Sequence, residues 1–155
     1  MLKTIIRSCI TFSFILIFFY TGISKFTDYS EFTSEIHNSP LLKTIPSWII
    51  WIIPVIELIV TIMLIKRQWR LRGLYLCSLL MILFTLYVVI LNGFAYYVPC
   101  SCGGFLNFLP QNIHIPLNII LVVWSLLGIY LERNAITSLR SYKYIMRDTQ
   151  DAQDK

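Results

Sequence analysis

The sequence predicts an all-α integral membrane protein, a bundle of four transmembrane helices, and three observations predict it. The first is composition: of 155 residues, 57% are hydrophobic and only 14% charged, with a mean hydropathy of +0.70. Soluble domains carry about a quarter charged residues, and a water-soluble fold of this length could not hide so much apolar surface. The second is four separate apolar stretches of 17 to 19 residues, each long enough to cross a hydrocarbon core of about 30 Å. The third is the distribution of charge: 11 of the 13 basic residues fall in segments that alternate spans would place on one side. These observations exclude a soluble enzyme, a nucleic-acid binder and a disordered chain.

The first span covers 4–22 and includes the dense apolar run Phe12 to Tyr20. Lys3 and Arg7 at its start resemble the positive beginning of a signal peptide. The stretch Tyr20-Thr21-Gly22-Ile23-Ser24-Lys25 nevertheless lacks a small-x-small cleavage site, so a retained helix is expected. The outer connection Ser24 to Ser47 places Phe26, Tyr29, Phe32 and Ile36 at helical spacing beside Asp28, Glu31 and Glu35. That pattern predicts a short amphipathic helix lying along the membrane surface.

The second span covers 48–65 and carries Pro54 and Glu57; the third, 74–91, has no charge. The fourth, 115–131, contains Asn118, Trp124 and Ser125. All four must be helical, because lipid offers no partner for an open backbone group. Beyond them, 132–155 forms a charged tail expected to fray after Asp148. No internal repeat, low-complexity segment or second soluble domain is visible.

Orientation follows from the basic residues. Lys3 and Arg7, then Lys66, Arg67, Arg70 and Arg72, then Arg133, Arg140, Lys143, Arg147 and Lys155 share one side, which the positive-inside rule makes cytoplasmic. Both termini are then cytoplasmic, and 23–47 and 92–114 face outward. The net charge of +5 thus reports topology, not an acidic partner.

Topology sorts the four cysteines. Cys9 and Cys77 lie just inside the cytoplasmic ends of the first and third spans, where a small buried hydrophobe is the ordinary reading. Cys100 and Cys102 lie in the outer loop Val98-Pro99-Cys100-Ser101-Cys102-Gly103-Gly104-Phe105. Cys77 and Cys100 are separated by about 34 Å of mostly helical path, so the two sets cannot meet. Within one chain, any outer disulfide therefore joins Cys100 to Cys102. Their Cα atoms, two residues apart, would lie about 5.5–7 Å from each other, in the upper range a disulfide accepts. Such a bridge closes almost no loop and adds little stability, whereas strained, exposed disulfides are the labile, exchanging ones. Redox exchange is the leading reading, with a structural bridge and a metal site as the alternatives.

A reactive thiol needs a nearby cation or base. His114, His37 and Lys25 are available on the outer side, and each is also an ordinary interfacial polar residue. Glu57, about 14 Å along the helix from Trp48, is an ionisable group near mid-membrane and by default a functional candidate. Proton relay and a packing contact, with Lys25 or Asn118 as partner, are equally open. Trp48, Trp51, Tyr96, Tyr97, Phe105 and Phe108 read first as an aromatic belt; Trp51 and Tyr97 are also the pair that would flank a bound quinone.

Three of these segments occur together in order: Gly22-Ile23-Ser24-Lys25, Pro54-Val55-Ile56-Glu57 and the Cys-Ser-Cys-Gly-Gly loop at 100–104. In this the chain resembles the MauE/DoxX family of redox-associated membrane proteins over roughly 1–131. The resemblance implies a four-helix bundle like those of the thiol-oxidising DsbB and vitamin K epoxide reductase proteins. It implies that Cys100 and Cys102 are the redox pair, with Lys25 and Glu57 at the family's matched polar positions, and that a quinone is a possible cofactor. It further implies a setting in the bacterial inner membrane, the cysteine loop facing the periplasm or cell exterior. The implied partner is an exported thioredoxin-like or disulfide-containing protein, as in the maturation of methylamine dehydrogenase. DsbB-like enzymes use two thiol pairs and this chain has one outside, so a separate partner is expected. Two other functions compete. One is a soft-metal module, with copper held by Cys100, Cys102 and His114; the other is a scaffold subunit with an inert disulfide.

Overall fold

The structure is a computed structural model that describes residues 2–39, 44, 46–94 and 111–153. Among the described residues six helices follow in order: α1 (Leu2–Thr27), α2 (Tyr29–Asn38), α3 (Ser47–Ile50), α4 (Ile52–Ile65), α5 (Arg70–Phe94) and α6 (Gln111–Gln153). No strand occurs among the described residues. Four helical stretches are long and apolar enough to cross a membrane: Leu2–Thr27, Trp48–Ile65, Arg70–Ile90 and Ile115–Gln150. The second of these joins α3 and α4.

The long helices pack in a closed ring in which α1 meets α4 and α6, and α5 meets the same two. Their common core holds Ile10, Phe14 and Phe18 of α1, Val60 and Leu64 of α4, Leu74 and Cys77 of α5, and Ile129 of α6. The inward seam of α1 is regular. Thr11, Phe14, Phe18, Thr21 and Lys25 are all buried, at alternating steps of three and four, the spacing of a helix that packs along a seam. Outward positions such as Phe12, Leu16 and Phe19 on α1 and Ile59 and Ile62 on α4 are large, apolar and exposed. Those of α5 and α6 follow the same pattern with Leu79, Leu83, Leu86, Ile120 and Val123. Such a girdle is unacceptable in water and is the normal surface of a protein whose solvent is lipid.

Two glycines let the helices approach. A Cβ on Gly128 would lie 2.9 Å from Ile10 Cγ2, where α6 crosses α1. One on Gly22 would lie 3.1 Å from Leu58 Cδ2 and 3.5 Å from Glu57 Cβ, where α1 crosses α4. Close backbone approach through small residues is the usual means of helix association in lipid, where no hydrophobic force acts between helices.

The break between α3 and α4 falls at Trp51, three residues before Pro54. Proline has no N–H to give the carbonyl four residues back, and its ring crowds that carbonyl, so the ladder stops there and restarts. At the other end of α4, the Lys66 N–H donates to Ile62 O at 3.1 Å. Arg70 Nε donates to Leu64 O at 3.4 Å, closing the basic turn to α5. At this same end Arg7 on α1 pairs with Glu132 on α6 at 3.3 Å.

Two expectations from the sequence are corrected. The short helix does form as α2, but its apolar face turns into the protein. Phe32 and Ile36 are buried with Ile50, and Ser39 just beyond it bonds Tyr87 of α5 at 2.8 Å. The reason is geometric: only Asp28 separates α1 from α2, so the chain folds directly over the end of the bundle, where protein surface is nearer than lipid. The tail does not fray at Asp148, because α6 continues unbroken to Gln153. At 1.5 Å per residue its 43 residues extend about 65 Å, twice the hydrocarbon thickness.

Candidate functional site

Lys25 and Glu57 meet inside the bundle. The Lys25 ammonium donates to Glu57 Oε1 and also lies 5.4 Å from the centre of the Phe32 ring. Each part of this arrangement has a local cause. Lys25 occupies the next core position along the buried seam of α1 after Thr21. Gly22, one turn earlier, removes the side chain that would hold α4 away. Pro54, itself buried, sits in the first turn of α4, where its missing N–H is tolerated. Glu57 follows one turn later on the face toward α1.

The pair lines a cavity of about 270 Å³. Its walls are mostly apolar: Phe18 of α1, Ile56 of α4, Leu80 and Phe84 of α5, and Leu121 of α6, with Phe32 and Ile36 of α2 among them. Every long helix contributes, so the cavity is a property of the bundle. Its polar lining consists of Thr21, Lys25, Glu57, Tyr87 and Asn118. Two atoms in this group are buried and unpaired: Glu57 Oε2 accepts no hydrogen bond of ordinary geometry among the described residues, and Asn118 Nδ2 donates none. Thr21 stands beside the carboxylate as a second, weaker hydrogen-bonding neighbour after Lys25, and its hydroxyl also lies 3.4 Å from Phe18 O.

The other residues singled out from the sequence fall into distinct groups. Trp51 lies between α3 and α4 and does not line the cavity. Its ring stacks on Tyr29 at 4.3 Å between centroids and meets Phe26 at 5.4 Å. His37 is exposed on α2, with Nδ1 2.8 Å from Thr33 O, on the far side of that helix from buried Phe32 and Ile36. His114 falls in the first turns of α6. Cys100, Cys102 and Tyr97 lie outside the described residues. Cys77 is buried in the core and Cys9 is exposed, and both are free thiols. Among the described residues no group of three or more His, Cys, Asp or Glu side chains is placed to hold a metal ion.

Phe84 and Tyr87 went unnoticed in the sequence because the third span carries no charge. The one available signal was Tyr87, a hydroxyl well inside an apolar helix, which in lipid needs a partner. The partner is Ser39.

Fold and site together define a four-helix membrane protein with a buried ion pair facing a largely apolar cavity between the helices. A family model described as "Methylamine utilisation protein MauE" matches residues 3–131, and the chain belongs to the MauE family. No curated protein matches it, and no solved structure does. The matched region takes in nearly all of α1, all of α3 to α5, the first part of α6 and both members of the ion pair, and stops before the exposed end of α6.

Proposed function

We propose that this MauE-family membrane protein handles thiol–disulfide equivalents outside the cytoplasm through Cys100 and Cys102. The process it serves is the maturation or disulfide formation of an exported protein. One observation carries the reading: the segment bearing these cysteines begins after Phe94 of α5 and ends before Gln111 of α6. Those are the ends of α5 and α6 that lie with the C-terminus of α1 and the N-terminus of α4. Cys100 is six residues beyond Phe94, so chain length alone keeps it within about 20 Å of that end. This connectivity supports a reading in which the thiols act at the end of the bundle nearer the cavity, Lys25 and Glu57.

In the exchange, a thiolate of the pair attacks a partner's disulfide, or a partner's thiolate attacks theirs, through a mixed disulfide. Conversion of the dithiol to the disulfide releases two electrons and two protons. A quinone in the bilayer is a carrier of matching stoichiometry, taking both to become a hydroquinone. The lining suits such a ring: Phe18, Phe84, Leu80 and Ile56 supply apolar walls, and Asn118 Nδ2, without a partner among the described residues, is a donor for an oxygen. Basic-residue topology supports placing this end outside the cytoplasm.

The test is trapping. In cells quenched with acid and alkylated, Cys100→Ser or Cys102→Ser protein should accumulate a mixed disulfide with an exported partner. If neither variant does so, the redox reading fails.

A further inference from the structure

We infer that the cavity among α1, α4, α5 and α6 is a binding site for a neutral molecule with an apolar body and a hydroxyl group, of the phenol class. Three features set these requirements. First, the formal charges of Lys25 and Glu57 cancel across their contact, so an anionic or cationic ligand would have to separate a buried pair, which is strongly unfavourable. The ligand is neutral. Second, the walls are apolar and include Phe18 and Phe84. The volume of about 270 Å³ exceeds the roughly 150 Å³ that a dry protein cavity offers to one benzene. A substituted or fused ring system fits.

Third, the cavity presents one acceptor and one donor that find no partner of ordinary geometry among the described residues, Glu57 Oε2 and Asn118 Nδ2. Asn118 is only 5% exposed, so its amide is withdrawn from solvent while Nδ2 has no partner among the described residues. Buried polar groups are nearly always paired, and an orphan acceptor on α4 and an orphan donor on α6, both lining one cavity, mark what the occupant supplies. A hydroxyl supplies both, because its hydrogen goes to Glu57 Oε2 and its oxygen accepts from Asn118 Nδ2. A ketone or ether accepts but cannot donate, and would leave the carboxylate oxygen bare.

This inference rests on the redox reading only where it touches the carrier: of a quinone couple, the hydroquinone uses both the Glu57 acceptor and the Asn118 donor and the quinone uses the donor alone, so both forms enter and the reduced one is held more tightly. The site itself requires neither cysteine. It is therefore tested by binding, in protein whose Cys100 and Cys102 are both replaced by serine as well as in the unaltered chain.

The experiment uses the full-length protein in phosphatidylcholine nanodiscs, with empty nanodiscs as the partition control. The probes are 1-naphthol and its methyl ether, 1-methoxynaphthalene. The expected result is saturable binding of 1-naphthol above the partition control, at least about tenfold tighter than the ether. Asn118→Leu should weaken 1-naphthol about five- to tenfold, as loss of one hydrogen bond would. Leu121→Trp, which fills the cavity and leaves every polar group in place, should abolish binding of both probes. Equal affinity for the two probes overturns the inference, as does naphthol binding that survives Leu121→Trp or never exceeds partition. Failure here with a trapped mixed disulfide removes the ligand site alone; the converse result removes the thiol chemistry alone.

Discussion

Lys25 of α1 and Glu57 of α4 form an ion pair inside the bundle, their side chains 8% and 12% exposed. Two charges withdrawn from solvent are held together by geometry that Gly22 and Pro54 prepare. Such a pair is weak evidence for stability but strong evidence of interdependence, because either charge alone is far worse placed than both.

Lys25→Met is expected to destabilise the protein by about 3–5 kcal/mol, since it leaves the Glu57 carboxylate buried without its cation. The double variant Lys25→Met/Glu57→Leu should recover most of that loss. Thermal unfolding in detergent measures both, and equal stability of the single and double variants would show that the charges are not coupled.

At Gly22 the space beside Leu58 and Glu57 is already tight. Gly22→Val is expected to cost about 1–3 kcal/mol through overpacking and to push α1 from α4. Its effect should be smaller in the Lys25→Met/Glu57→Leu background, where no ion pair remains to be separated. Purely additive losses would locate the damage elsewhere.

The Ser39–Tyr87 bond, at 2.8 Å, fastens α2 over the end of the bundle. Tyr87→Phe should lower stability by about 0.5–1.5 kcal/mol. Amide exchange should rise chiefly in residues 29–38. Unchanged exchange there would mean that Phe32 and Ile36 hold α2 without it.

Cys77 has no exposed surface and is part of the four-helix core. Its thiol should stay unmodified by a membrane-permeant maleimide in the folded protein and react only as the bundle opens, so labelling during heating reports unfolding of the core. Fast modification at the growth temperature, read by mass spectrometry, would contradict the packing.

How much of this was legible follows from what hydrophobicity can and cannot encode in lipid. The four spans stand out because apolar runs of that length have no use in water. The seam Thr11, Phe14, Phe18, Thr21, Lys25 is periodic, and the two small motifs around Gly22 and Pro54 pointed to Lys25 and Glu57 as special. Their pairing was one of two open options for Glu57. The cavity was not legible. Lipid and protein interior are equally apolar, so periodicity does not tell Leu80, which lines the cavity, from Leu79, which is exposed. The same ambiguity misassigned α2: Phe32 and Ile36 mark a face to be buried but not whether lipid or protein covers it. The length of α6 was missed for a different reason. Its last part is charged enough to read as a solvated tail, and a helix can be solvated on every side.

The central claim is that Cys100 and Cys102 form a working redox pair, and its most direct test is their oxidation state in living cells. Cells are quenched with acid, free thiols are alkylated with a mass-shifting maleimide, and the sample is then reduced and alkylated with a second reagent. The account predicts both the dithiol and the Cys100–Cys102 disulfide, interconverting within minutes after a pulse of reductant is removed. A pair that stays wholly in one state throughout would contradict it.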